Sequence, residues 1–86
     1  MDIIALRLVN DYIIKKSCNG YIPDIDFEIY IVWKCKTLQN WKYLISSTLE
    51  DGMYYELTFN GDKKEWYFDA YSKTENIVIK ETDYDN

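Results

Sequence analysis

Histidine is absent from this 86-residue chain, and glycine, proline and cysteine are scarce, at three, one and two residues. Without histidine the chain has no side chain that titrates near neutrality unless its surroundings shift it, and zinc loses its usual nitrogen ligand. The two cysteines, Cys18 and Cys35, cannot frame a disulfide scaffold or complete a four-ligand zinc site within one chain, so free thiols are expected. Three glycines at turn positions build no phosphate loop, nucleophile elbow or dinucleotide fingerprint. Long apolar runs are missing as well. The first apolar stretch is broken by Arg7, Asn10 and Asp11 before it spans a bilayer, and Met1 is followed at once by Asp2 rather than by a leader. These absences predict a soluble, non-enzymatic protein of the cytoplasm, with no membrane segment, no catalytic or metal-binding residues and no cofactor.

The charge that is present leans acidic. The formal net charge is −5, but Glu81, Asp83 and Asp85 crowd the last six residues, so residues 1–80 carry −2, ten bases against twelve acids. Such a balance disfavours direct binding to nucleic-acid phosphates or anionic membranes. Hydrophobic residues make up 48% and charged residues 29%, the composition of a packed interior inside a solvated exterior. A chain of this size supports one core rather than two. Nine Tyr and three Trp are many for that length, and both types combine a large contact area with a polar end suited to interfaces.

Residues 2–16 repeat apolar side chains at helical spacing, with Ala5, Leu6, Val9, Tyr12 and Ile13 on one side and Arg7, Asn10, Asp11 and Lys15 on the other. Lys15 and Lys16 suit the C-terminal end of this helix, and Asn19-Gly20 supplies a stop. Ile3 and Ile14 fall on its polar side as candidate contact points. From Ile25 the period becomes two: Ile25, Phe27, Ile29, Ile31 and Trp33 alternate with Asp26, Glu28, Tyr30, Val32 and Lys34, the pattern of a long strand. Trp41 to Thr48 reads as a second strand, joined through a turn at Gln39-Asn40, with its register open. After a Glu50-Asp51-Gly52 turn, Met53, Tyr55, Leu57 and Phe59 alternate with Tyr54, Glu56, Thr58 and Asn60. Asn60-Gly61 is the strongest hairpin signal, and the returning strand sets Trp66, Phe68 and Ala70 opposite in facing to Glu65, Tyr67, Asp69 and Tyr71. A loop of two or of four residues preserves the parity that puts Trp66 and Phe68 beside Tyr55 and Leu57. Ile77-Val78-Ile79 reads as a last edge strand.

These elements predict an α+β fold, an N-terminal amphipathic helix packed on one side of a four- to five-stranded antiparallel sheet. Residues 1–80 form the single domain and residues 81–86 a flexible acidic tail. The other side of the sheet stays open, and alternation assigns it Asp26, Glu28, Tyr30, Tyr54, Glu56, Thr58, Glu65, Tyr67, Asp69 and Tyr71. Rigid tyrosine area interspersed with carboxylates suits a protein partner with a basic surface. Asp26 and Glu28 stand at i and i+2, the spacing of paired carboxylates, yet no third group completes an acid–base site, and a solvated strand side is the plainer reading. Cys35 lies between Lys34 and Lys36, but strand geometry turns those neighbours away, and Cys35 is expected as a buried apolar thiol beside Trp33. The competing surface is the acid-free hairpin carrying Trp33, Lys34, Lys36, Trp41 and Lys42, which suits single-stranded nucleic acid through phosphate contact and base stacking. A third arrangement, the basic hairpin of one copy against the acidic side of another, would make a homodimer of an otherwise monomeric chain.

At Val32-Trp33-Lys34-Cys35-Lys36-Thr37-Leu38-Gln39-Asn40, Leu49-Glu50-Asp51-Gly52-Met53-Tyr54-Tyr55-Glu56 and Asn60-Gly61-Asp62-Lys63, the chain resembles an uncharacterised family of small phage and prophage proteins of Gram-positive bacteria, a domain of unknown function. The resemblance spans residues 30–80 or thereabouts. It implies no catalytic residue. It implies a setting, the cytoplasm of a host cell, where small phage proteins bind a host protein to redirect replication or transcription, or to block restriction or CRISPR defence.

Overall fold

The computed structural model of the chain describes residues 1–17 and 27–84. Helix α1 runs Asp2–Ser17, with Asp2 in its first turn and Lys15 and Lys16 in its last, charges that complement the helix dipole. Four strands follow, β1 (Ile29–Thr37), β2 (Asn40–Ser47), β3 (Met53–Asn60) and β4 (Glu65–Ser72), and then a single helical turn, α2 (Glu81–Tyr84). The strands form a meander in chain order, each antiparallel to the next. The architecture is α+β, one helix laid on one face of a four-stranded sheet.

Alternation and helical periodicity explain the core directly. Ala5, Val9 and Ile13, each four residues apart on α1, are fully buried against Tyr43 and Ile45 of β2 and Tyr55 and Leu57 of β3. Leu6, Tyr12, Ile29, Ile31, Met53, Trp66 and Phe68 pack around them. Each fully buried Ile, Leu or Val side chain contributes about 1.5–3 kcal/mol. Ile3 is exposed, as its place on the polar side of α1 requires, and Ile14 is half-buried. The shortest extent of the molecule, 16 Å, is the depth of one helix layer on one sheet, so the second sheet face has no layer over it among the described residues.

The turns follow from local polar chemistry. β1 and β2 are joined at Leu38-Gln39, with Leu38 at φ 58°, one residue earlier than expected because Asn40 pairs with Thr37 in the ladder. Gly52 closes the second connection at φ 67°, and Asp51 Oδ1 accepts from the Met53 amide at 3.1 Å. The third hairpin uses the longer of the two expected loops, residues 61–64, in which Asn60 Oδ1 accepts from the amides of Asp62 and Lys63. Its left-handed residue is Lys64, at φ 54°, not Gly61. Gly61 is needed for closeness instead: a Cβ there would collide with the Gln39 carbonyl oxygen and side chain.

β1 departs from the expected pattern. Ile31 pairs with Ile45, but Trp33, not Val32, pairs with Leu44, so Val32 is the extra residue of a β-bulge. The inserted residue reverses parity. Trp33 and Cys35 face the open side, and Lys34 and Lys36 face the helix side, beside Tyr43 and Trp41. Cys35 is accordingly exposed rather than buried, its Sγ 3.9 Å from Thr37 Oγ1. Ile25 and Asp26, the expected start of the strand, lie outside the described residues, as do Cys18 and the helix stop at Asn19-Gly20.

The expected fifth strand does not form. The last ladder contact is the Lys73 amide donating to Gly52 O at 2.8 Å, and residues 73–80 carry no strand. Ile77, Val78 and Ile79 are between 67% and 78% exposed. Alternation allows a three-residue strand at most two apolar side chains on one face, too little burial to offset ordering its backbone.

Candidate partner-binding face of the sheet

Cross-strand register sorts the open face into rows. Tyr30, Ser46, Tyr54 and Tyr71 form one; Trp33, Leu44, Glu56 and Asp69 the next; Cys35, Lys42, Thr58 and Tyr67 the third. Glu65 stands beyond Tyr67 on β4, opposite Asn60. Of the residues expected here, Tyr30, Tyr54, Glu56, Glu65, Tyr67, Asp69 and Tyr71 are brought together. Glu28 is exposed at the margin, just ahead of β1, tied to Thr48 by its amide donating to Oγ1 and its carbonyl accepting from the Thr48 amide, both at 2.9 Å. Asp26 lies outside the described residues.

Sequence reasoning missed Trp33, Cys35, Lys42, Leu44 and Ser46 as members of this face. The bulge brings in the first two. Leu44 follows from the β2 register, since the residue before buried Ile45 must point away from the helix. The face therefore has an aromatic wall and a half-buried aliphatic centre. Tyr30, Trp33, Tyr67 and Tyr71 are each between 43% and 51% exposed, a large apolar offering for one sheet face.

Its electrostatics are uneven. Lys42 is the one base in the three rows, and its Nζ sits 3.4 Å from Glu56 Oε1. The Tyr67 hydroxyl donates to Glu65 Oε2 at 3.0 Å, and that bond, ahead of partial burial, raises the Tyr67 pKa above its ordinary value. Asp69 has no hydrogen bond or ion pair among the described residues. With acids at Glu56, Glu65 and Asp69 against Lys42, the face carries a net −2.

The Lys/Trp hairpin is divided by the same bulge. Trp33 and Lys42 lie on the open face, while Lys34, Lys36 and Trp41 lie on the helix side. Lys34 Nζ is 2.7 Å from Asp2 Oδ2, Lys42 is held by Glu56, and Lys36 Nζ stands 5.4 Å from the centre of the Trp41 ring. A shallow groove lined by Cys35, Thr37, Asn40, Trp41, Lys42 and Thr58 marks the hairpin end of the sheet. Among the described residues no three Cys, Asp or Glu side chains gather as a metal site, and no helix is long and apolar enough to cross a membrane.

Part of the tyrosine excess belongs to the core rather than to this face. Asp2 accepts from Lys34 Nζ and, through Oδ1, from the Tyr43 hydroxyl at 2.7 Å, and these two bonds, Lys34's first, hold its carboxyl below the usual range. Burial, then the bond to Asp2, pushes the Tyr43 hydroxyl well up. Burial pushes Tyr55 up to about 12. Tyr12 meets Tyr55 edge-on with ring centres 5.6 Å apart, so the aromatic packing continues from sheet to helix.

Residues 4–81 match the model of a family of unknown function, DUF6275, and the chain belongs to that family. No curated protein and no solved structure matches it.

Proposed function

We propose that this member of the DUF6275 family is a non-catalytic binding module that docks the open face of its sheet on a basic surface of another protein. The observation that carries the reading is the face itself: four aromatic side chains stay half-exposed around a row containing Leu44, Glu56 and Asp69, on a surface of net −2. Four strands at about 4.8 Å spacing and eight residues at about 3.3 Å present roughly 500 Å² of flat surface. That is the central patch of an interface burying ~800 Å² per partner. A second copy would bring like charge against like charge, so the face suits a basic partner better than itself.

In the phage or prophage setting implied by the resemblance, the partner is a host protein of the cytoplasm, either a nucleic-acid-binding factor or a component of restriction or CRISPR defence. The carboxylates then occupy positions that phosphates take on such a protein's natural ligand. The single-strand nucleic-acid reading is left with little, because its lysines are split between faces and two of the three are ion-paired.

Affinity capture from a host lysate tests the proposal, comparing the native chain with one carrying Tyr54, Glu56, Tyr67 and Asp69 changed to Ala. The native chain is expected to retain a protein that the variant loses; identical retained sets would overturn the assignment of the face. A mobility shift on single-stranded DNA with micromolar native protein at low salt is expected to show no complex.

A further inference from the structure

Three candidates stand out beyond the face as a whole: the exposed Ile77-Val78-Ile79 run, the Trp41, Phe59 and Trp66 rings on the helix side, and the neighbourhood of Asp69. Nothing on the first two indicates an occupant. Asp69 is different. On β4, Tyr67, Asp69 and Tyr71 stand at i, i+2 and i+4 and therefore point the same way, about 7 Å apart along the strand. Glu56 lies directly across from Asp69, and Tyr54 across from Tyr71.

The acids on this face are not equivalent. Glu56 is compensated by Lys42 at 3.4 Å, and Glu65 accepts the Tyr67 hydroxyl at 3.0 Å. Asp69 alone of the three has neither kind of partner among the described residues. Its two flanking rings are half-exposed, and one of them is oriented by its bond to Glu65. A cation that pairs with Asp69 stands between two tyrosines whose strand positions are about 7 Å away on either side, close enough for a long side chain on the partner to reach a ring face as well. A planar guanidinium can lie on a ring and present a two-pronged donor edge to the carboxylate, whereas an ammonium is a strongly hydrated point charge that does one or the other.

We propose that Asp69, between Tyr67 and Tyr71, receives an arginine side chain of the protein partner, so that the face selects arginine over lysine. This rests on the docking reading above and adds the identity of the anchoring residue on the partner.

The test is calorimetric titration of the full chain with octa-arginine and octa-lysine peptides at physiological ionic strength. Octa-arginine is expected to bind about tenfold more tightly, the product of two exposed ring contacts. Changing Tyr67 and Tyr71 together to Leu is expected to remove that preference, and Asp69→Asn to weaken both peptides. These side chains lie outside the core, and an unchanged thermal midpoint checks that each variant folds. Equal affinities for the two peptides in the native chain would overturn the arginine assignment while leaving the basic-partner reading in place. So would a preference that survives in the tyrosine variant. Binding of neither peptide, with lysate capture still lost in the quadruple Ala variant, overturns this inference alone; binding of neither, with capture unchanged, overturns both.

Discussion

Asp2 shows how one exposed carboxylate can tie two layers together. It stands in the first turn of α1 and accepts from Lys34 on β1 and Tyr43 on β2. Because these bonds favour the charged form, its pKa in the fold lies below the ordinary 3.8. A carboxyl with a depressed folded pKa contributes stability that is complete above its unfolded value and fades as pH falls through the folded one. Denaturant unfolding followed between neutral pH and pH values below 3.8 should therefore show a loss of stability in the native chain. Asp2→Asn should be less stable than the native chain at neutral pH and should show a smaller loss on acidification. Parallel acid profiles for the two would mean that Asp2 is not held as described.

At the scale of elements, β1 differs from the others, and Val32 decides how. With the bulge, the Cys35 thiol faces solvent; without it, uninterrupted alternation would turn Cys35 toward the helix. In a Cys18→Ser background, a thiol reagent should label Cys35 in the native fold within about threefold of its rate in the unfolded chain, because an exposed thiol needs no opening step. Deleting Val32 removes the extra residue but keeps Trp33 opposite Leu44 and Cys35 opposite Lys42, so labelling should stay within about threefold of the native rate, and a slowing of more than about tenfold would mean that Val32 is not the inserted residue. The reason the bulge was illegible is visible in the residues. Ile31, Val32 and Trp33 are consecutive and all apolar, so the pattern there is compatible with either parity, and no glycine marks the insertion. β3 and β4 were legible because Leu57 and Phe59 alternate with Glu56, Thr58 and Asn60, and Trp66, Phe68 and Ala70 flank Glu65 and Asp69 at the opposite parity, and α1 because Ala5, Val9 and Ile13 recur at one turn's spacing. Most of the candidate face, Tyr54 to Tyr71, was readable for the same reason. Trp33 was not, since its place depends on a neighbour's hydrogen bonding rather than on its own type. Ile77-Val78-Ile79 misled in the opposite way, having strand propensity with no surface to pack on.

Across the whole molecule the tyrosines divide between two tasks, and alkaline pH separates them. Tyr43 and Tyr55 are fully enclosed between α1 and the sheet, and burial raises the pKa of each above 10, Tyr55 to about 12 and Tyr43 further. Groups whose folded pKa is raised contribute stability that is complete below the unfolded value and is lost as pH rises through the folded one. Stability should therefore hold up to pH 10 and fall steeply from there past 12. Because α1 and the sheet share one core, helix and strands should be lost together rather than in turn. Tyrosinate absorbance measured beside far-ultraviolet circular dichroism gives the check. The ionisation of Tyr43 and Tyr55 should appear only with the collapse of the dichroism signal. Tyr43→Phe removes one of the two linked ionisations and should move the alkaline midpoint upward relative to its own neutral stability. If all nine tyrosines ionise while the dichroism is still native, then neither ring is sealed in the core. The open face would in that case have no rigid sheet behind it, and rows of tyrosine and carboxylate held at fixed spacing could not select a partner.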